Sequence, residues 1–343
     1  MHIEEFNYEL PEELIAQHPV YPRDYAKLMV LNRSKHSIEH KLFYEIEQFI
    51  NPGDVLVLND SKVIKSRIFG FKEDTNGKRE IFLLKQVDNF KWLALTNPNS
   101  RVHPNDKIII SKDPQVEALV LKKNENGENL IEFHSENMTS SAIIDRFGET
   151  PLPPYIKGRL LADKEYQTVY SKPEGSVASP TAGLHFTESL LSRLTDKGVI
   201  IEYITLHVGL GTFKPIKEED LGKHKMHEED YFITEETAIN INRVKTSGGK
   251  VFAVGTTVTR TLETASTRDG VIKPISGSTK LFIKPGYPFK IIDSIITNFH
   301  FPRTTLLALV SAFAQKDFIL EAYNSAVKER YRFYSFGDAM LII

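Results

Sequence analysis

Apolar residues fall into two contrasting patterns along this chain. From about residue 66 to 150 they come in short runs: Arg67-Ile-Phe-Gly-Phe, Glu80-Ile-Phe-Leu-Leu, Phe90-Lys-Trp-Leu-Ala-Leu, Lys107-Ile-Ile-Ile, Val116-Glu-Ala-Leu-Val-Leu and Leu130-Ile-Glu-Phe. Turn residues separate them at Asn76-Gly77, Asn97-Pro98-Asn99-Ser100, Asn105-Asp106 and Asn126-Gly127. Short strands punctuated by Asn and Gly predict an antiparallel barrel or sandwich. Residues 66–150 are therefore expected to form an inserted antiparallel β-barrel domain.

On either side of this segment, strands alternate with helices. Leu10-Pro-Glu-Glu-Leu-Ile15 places proline and acids as in a first helical turn. Lys27 to Leu31 and Val55 to Leu58 read as strands. Thr187 is placed to cap a helix carrying Leu190, Leu191 and Leu194 that stops at Gly198. Val199 to Ile204 follows as a strand. Next comes a Thr234-capped helix with apolar Ile239, Ile241 and Val244, then a buried strand at Val251 to Val254. A helix through Arg260, Leu262 and Ala265, a strand at Ile291 to Ile296, and helices at Thr304 to Ala314 and Asp317 to Arg330 complete the series. Such alternation predicts an α/β layered domain, discontinuous over 1–65 and 151–343, with helices covering a sheet.

The 343 residues suit about two domains, and 41% hydrophobic residues are enough for a sizeable core. A formal net charge of −2 advertises no nucleic-acid partner, although an average hides any local basic patch. There is no cysteine, so disulfides and thiolate metal sites are excluded. The acidic start Met1-His-Ile-Glu-Glu-Phe has no apolar core of a signal peptide, and no apolar run is long enough to span a bilayer. A cytoplasmic protein with no membrane partner is expected.

Candidate chemistry gathers in loops that follow apolar strands. These are Asn59-Asp60, Thr205-Leu-His207-Val-Gly209-Leu-Gly211-Thr212, Gly255-Thr256-Thr257 and Thr297-Asn298-Phe-His300. A fifth stretch, Gly175-Ser176-Val-Ala-Ser-Pro-Thr181-Ala-Gly-Leu-His185-Phe-Thr187, combines small residues and hydroxyls and runs into a helix, whose N-terminus favours a polar or negatively charged group. Loops converging at strand ends would form one cleft. Several familiar signatures are missing. Gly209-Leu-Gly211 lacks the third glycine of a dinucleotide fingerprint, and there is no Walker phosphate loop and no Gly-x-Ser-x-Gly elbow. His224 and His227 are a weak pair, and no metal site is expected. His185, His207 and His300 are the candidate proton carriers, each weighed against an ordinary hydrogen-bonded core histidine. For His185, an adjoining helix N-terminus would lower the pKa and keep the ring neutral. Arg260, one turn into its helix, is placed to reach a carboxylate or phosphate, against the alternative of a solvated helix face.

These loops and some neighbouring stretches carry a resemblance. Gly175-Ser-Val-Ala-Ser-Pro-Thr-Ala-Gly-Leu-His-Phe-Thr, Thr205-Leu-His-Val-Gly-Leu-Gly-Thr-Phe, Ala253-Val-Gly-Thr-Thr-Val-Thr-Arg-Thr-Leu-Glu, Ile296-Thr-Asn-Phe-His-Phe-Pro-Arg-Thr-Thr-Leu-Leu and Tyr331-Arg-Phe-Tyr-Ser-Phe-Gly-Asp-Ala-Met-Leu-Ile closely resemble the S-adenosylmethionine:tRNA ribosyltransferase-isomerase family. So do Leu14-Ile-Ala-Gln-His-Pro and Gly53-Asp-Val-Leu-Val-Leu-Asn-Asp-Ser-Lys-Val-Ile. The likeness runs in order over nearly the whole chain. Departures are mild: Ser61-Lys62 stands where the family usually has Thr-Arg, Ser179 where it has Ala, and Phe301-Pro-Arg-Thr304 where it has Leu-Pro-Lys-Ser.

The resemblance implies an α/β domain with a β-barrel insert and a step of queuosine biosynthesis. The ribosyl part of S-adenosylmethionine passes to the aminomethyl group of 7-aminomethyl-7-deazaguanine at the wobble position of a tRNA. It rearranges to an epoxycyclopentane, giving epoxyqueuosine and releasing adenine and methionine. S-adenosylmethionine is then a co-substrate, no cofactor is needed, and the tRNA anticodon region is the partner of an enzyme expected to be a monomer. His185, His207 and His300 are the catalytic candidates. Asn59, Asp60, Ser176, Thr181, Gly209, Gly211, Thr212, Gly255, Thr256, Thr257, Arg260 and Asn298 are the substrate-binding ones. Two alternatives stand beside this reading: a non-catalytic RNA-binding protein gripping RNA through the β-insert at Phe90-Lys91-Trp92 and Arg67-Ile-Phe69, and an S-adenosylmethionine enzyme acting on a small molecule.

Overall fold

A computed structural model describes residues 1–158, 162–209, 219–224 and 226–343. The chain divides into two compact units. The larger comprises Met1–Ser61, Pro154–Pro173 and Ser179–Ile343, and the smaller Lys62–Pro153 with Glu174–Ala178.

The larger unit is built on a nine-stranded mixed sheet. Its centre is four parallel strands in the order Ile200–Leu206, Val55–Asn59, Val251–Val254 and Ser294–Asn298. All five residues of Val55–Asn59 are buried, as expected of a strand covered on both faces. Helices and the Thr181–His185 turn supply that cover. Leu190 and Leu194 of the helix Glu188–Asp196 join Leu56, Leu58, Phe252 and Ile296 in one apolar cluster. Thr187 starts this helix, its Oγ1 accepting from the Leu190 N–H at 3.1 Å. The helix Glu235–Thr246 is capped by Thr234 in the same way and buries Ile241 and Val244. Ile239, an expected core position, is instead exposed, because it falls off the face that those two residues define.

Four strands escaped the sequence pattern. Glu229–Ile233 and Ile275–Thr279 extend one edge of the sheet, Ser37–Leu42 ends the other, and Ala339–Ile342 lies between Ser294–Asn298 and Lys27–Asn32. The first three are polar or half-buried, and the last is too short to show a period. The expected helical turn at residues 10–15 is a short 3-10 turn, Glu12–Leu14. No helix among the described residues is long and apolar enough to cross a membrane.

In the smaller unit, six antiparallel strands close into a barrel in the order Arg67–Lys72, Lys78–Gln86, Lys91–Asn97, Asn129–His134, Gln115–Lys123 and Lys107–Lys112. Closure joins Phe71 and Lys72 to Ile109 and Ile108. Gly70 permits it, since a Cβ there would lie 2.7 Å from the Ile109 carbonyl oxygen. Ile68, Ile81, Trp92, Ala94, Val120 and Ile131 fill the interior. Trp92 donates from Nε1 to Ser140 Oγ at 2.8 Å, so it belongs to the barrel core and not to an exposed stacking surface. Ser140–Phe147 is a helix that the pattern of short strands did not announce. Lys62–Val63 pairs in parallel with Glu174–Ser176, a distant strand that no local signal announces.

Two separately packed cores are expected to open separately. Native-state hydrogen exchange should show Val55–Asn59, Ile200–Leu206 and Val251–Val254 sharing one opening free energy. The strands Lys78–Gln86 and Asn129–His134 should share another. Identical protection and denaturant dependence across all five would mean a single cooperative unit.

Candidate active site

The parallel strands Val251–Val254 and Ser294–Asn298 end side by side, and the residues after each enter the wall of a cavity of about 820 Å³ in the larger unit. Ligands of open α/β sheets sit outside these carboxyl ends. Gly255 begins the helix Gly255–Ala265 directly from the strand, at φ +91°, a conformation that favours glycine. This helix has no side-chain cap, and Gly255, Thr256 and Thr257 of its first turn face the cavity. A second helix, Thr305–Ala314, brings Thr304 and Thr305 to the same wall. Two helix N-termini on one cavity make it hospitable to electron-rich groups.

Asn298 is the junction of the site. It is buried, it lines the cavity, and its Oδ1 accepts from Thr181 Oγ1 at 2.9 Å. Its Nδ2 lies 3.1 Å from His185 Nε2. His185 is only 4% exposed and stacks on Phe43 at 4.9 Å between ring centroids. Burial pushes its pKa down to about 3, and the charges of Arg332 and Arg23 push the same way against a backbone hydrogen bond with Arg23. The ring is thus neutral, but desolvation is the main cause and not the helix terminus invoked from sequence. His185 also stands behind Asn298 and outside the cavity wall.

His300 is in the wall. Its Nε2 lies 3.0 Å from Thr297 Oγ1, and burial lowers its pKa to about 3. Its backbone is held on both sides: the N–H donates to the Tyr323 hydroxyl at 3.0 Å, and the carbonyl accepts from Tyr8. His207 is half-buried and outside the wall, its N–H donating to the Asp230 carbonyl at 3.0 Å.

Of the expected substrate-binding residues, Thr181, Gly255, Thr256, Thr257 and Asn298 line the cavity. The others do not. Asn59 is fully buried and ties two strands together, donating to the Leu206 carbonyl and accepting from the Leu206 and Ser61 N–H groups. Asp60 accepts from Thr205 Oγ1 at 2.7 Å; burial raises its pKa, while Thr205, Lys172 and His207 act against the rise. Ser176 belongs to the smaller unit and donates to the Ala178 carbonyl at 2.8 Å. Gly209 donates its N–H to Glu229 Oε1 at 3.2 Å. Arg260, neither solvated nor turned to the cavity, forms a buried ion pair with Glu229 and donates from Nε to the Leu281 carbonyl at 3.0 Å. Gly211 and Thr212 lie outside the described residues.

Sequence reasoning missed one side of the wall, made of Tyr155, Phe301, Tyr334 and Ser335. The signal was present, since Phe301 and Tyr331–Asp338 lie in stretches that carried the family resemblance. Without a polar group next to a strand end, they drew no chemical reading. Among the described residues, no group of three or more His, Cys, Asp or Glu is arranged to hold a metal ion.

Comparison with known proteins covers this whole arrangement. The family model described as "Queuosine biosynthesis protein" matches residues 3–342. The S-adenosylmethionine:tRNA ribosyltransferase-isomerase of Thermoanaerobacter sp. (strain X514) is 51% identical over 339 residues, 99% of this chain and 99% of that protein. The protein of the same name from Acetivibrio thermocellus is 51% identical over 342 residues, spanning 100% of both chains. The crystal structure of S-adenosylmethionine tRNA ribosyltransferase from Thermotoga maritima is 39% identical and superposes with a TM-score of 0.58, over 99% of this chain and 100% of that one. Cavity, sheet and barrel all lie within the matched residues, and the chain belongs to the queuosine biosynthesis protein family.

Proposed function

We propose that this chain is an S-adenosylmethionine:tRNA ribosyltransferase-isomerase, acting on a tRNA whose wobble base is 7-aminomethyl-7-deazaguanine. The carrying observation is identity of about half the residues, end to end, with proteins of that name. The ribosyl carbons move to the aminomethyl nitrogen and rearrange to the epoxycyclopentane of epoxyqueuosine, and adenine and methionine leave. S-adenosylmethionine is a co-substrate, and its sulfonium supplies the electron sink. A tRNA substrate places the enzyme in the cytoplasm. A non-catalytic RNA-binding protein is disfavoured because Trp92, one of the rings of its expected stacking surface, fills the barrel core.

The reaction needs groups that accept protons from the aminomethyl nitrogen and from the carbon beside the sulfonium, and one that returns a proton to departing adenine. His300 is the histidine of the wall, and burial keeps it unprotonated, the state an acceptor requires. We assign it the contact with the reacting groups. His185 is a positioning residue: through Asn298 it orients the amide that Thr181 also holds. The N-terminus of Gly255–Ala265 faces electron-rich parts of the co-substrate.

The first test is of products. With the precursor tRNA present, adenine and methionine should form in equal amounts, and with no tRNA neither should appear. Methylated tRNA as the product would overturn the assignment.

A second test separates the histidines. His300→Ala should lower kcat by on the order of 100-fold, the usual scale for loss of a proton carrier, with little change in KM. His185→Ala should act chiefly on the KM for S-adenosylmethionine. Because both rings stay unprotonated far below neutrality, neither should impose a limb near pH 6.5 on the free enzyme's pH–rate profile. A kcat collapse confined to His185→Ala, with His300→Ala near wild type, would return the proton-carrier role to His185.

A further inference from the structure

The aromatic side of the cavity has features that ordinary core packing does not explain. Tyr155 lies 4.5 Å from Tyr334 and 5.3 Å from Phe301, centroid to centroid, and Phe301 and Tyr334 touch. All three rings are half-buried and belong to the wall. Tyr334 is held at φ +75°, a left-handed conformation costly for a bulky residue and one that tends to persist at functional sites. Its hydroxyl is shut off from solvent without a hydrogen-bond partner among the described residues. The Tyr155 hydroxyl, by contrast, is fastened to Ser335 Oγ at 2.6 Å, which fixes that ring in place.

The charge balance of the wall says what these rings would meet. S-adenosylmethionine brings a permanent positive charge on sulfur into the cavity. Among the described residues, the wall has two carboxylates, Glu4 and Glu219. Glu4 is already paired with Arg303 at 3.0 Å, and Glu219 has a side chain 90% exposed to water. Neither is a buried counter-ion. Beside the wall's hydroxyls and the Asn298 amide, the aromatic faces offer negative potential whose attraction for a cation grows as water is removed. A ring cluster also accepts a sulfonium without neutralising it, so the sulfur keeps its power to withdraw electrons from the neighbouring carbon.

We propose that Tyr155, Phe301 and Tyr334 form the sulfonium subsite and give the enzyme its preference for the charged co-substrate over a neutral thioether. The inference rests on the proposed use of S-adenosylmethionine. It has a consequence for turnover: methionine leaves as a neutral thioether, so the attraction disappears with the charge and assists product release.

S-adenosylhomocysteine tests this directly, being nearly the same shape with an uncharged sulfur. By calorimetry, the wild-type protein should bind S-adenosylmethionine on the order of 10-fold more tightly than S-adenosylhomocysteine. Phe301→Leu and Tyr334→Leu keep the wall apolar while removing a ring. Each should bring the ratio towards one, with S-adenosylhomocysteine affinity within about 2-fold of wild type, a change within the scatter expected of a neutral contact. Retained S-adenosylhomocysteine binding also reports that each variant is folded. An unchanged ratio overturns the proposal, because some other group must then read the charge. Parallel weakening of both ligands overturns it too, since the rings would then be stacking the purine or supporting the fold. A wild-type ratio near one, with adenine and methionine still released on precursor tRNA, defeats the subsite alone. No binding of either ligand together with no release of products defeats the transferase reading itself.

Discussion

Burial of Val55–Asn59 between two parallel neighbours is the constraint on which the larger unit depends. A strand covered on both faces and paired on both edges cannot slip by one residue without turning its side chains over. Its register aligns Ile200–Leu206 on one side and Val251–Val254 on the other, and the latter aligns Ser294–Asn298. Parallel pairing then puts all four carboxyl ends on one edge. From there, Gly255 turns straight into a helix, and Asn298 meets Thr181 and His185. The site is a consequence of strand register before it is a set of chemical groups.

What the cavity does electrically follows from what burial does to its polar residues. His185 and His300 are both driven far towards the neutral state, chiefly by loss of water. Arg260 is paired with Glu229, which also holds the Gly209 N–H, and Arg303 is paired with Glu4, while Glu219, the other carboxylate of the wall, has a side chain 90% exposed to water. The cavity is furnished mainly with hydroxyls, an amide, helix N-termini and ring faces. On the proposed reading, such a wall holds the sulfonium without quenching its charge.

The buried Glu229–Arg260 pair shows how a polar residue near a site can serve the scaffold. Glu229 stands on the edge strand Glu229–Ile233, and Arg260 on the helix that starts at Gly255. Their pairing, with the Gly209 N–H on the same carboxylate, ties strand, helix and loop together. Removing either partner would leave a buried charge uncompensated, which costs far more than the pair itself contributes.

The sequence alone determined the fold class and most of the elements. Six barrel strands were legible because Asn and Gly turns interrupt short apolar runs, and the parallel core because Val55 to Leu58 and Val251 to Val254 are wholly apolar. Thr187, Thr234 and Thr304 marked helix starts by a hydrogen bond between near neighbours, which is local by nature. Tertiary structure alone decided which polar residues share a space. Asn59 and Arg260 were indistinguishable in sequence from Asn298 and Thr256, yet the first two face strands and a buried carboxylate, while the last two face the cavity. Nor could any local pattern place Tyr155 beside Tyr334, or put Asn298 between His185 and the cavity. Those contacts join residues more than 100 positions apart, and only packing of the whole sheet brings them within hydrogen-bond or ring-contact distance.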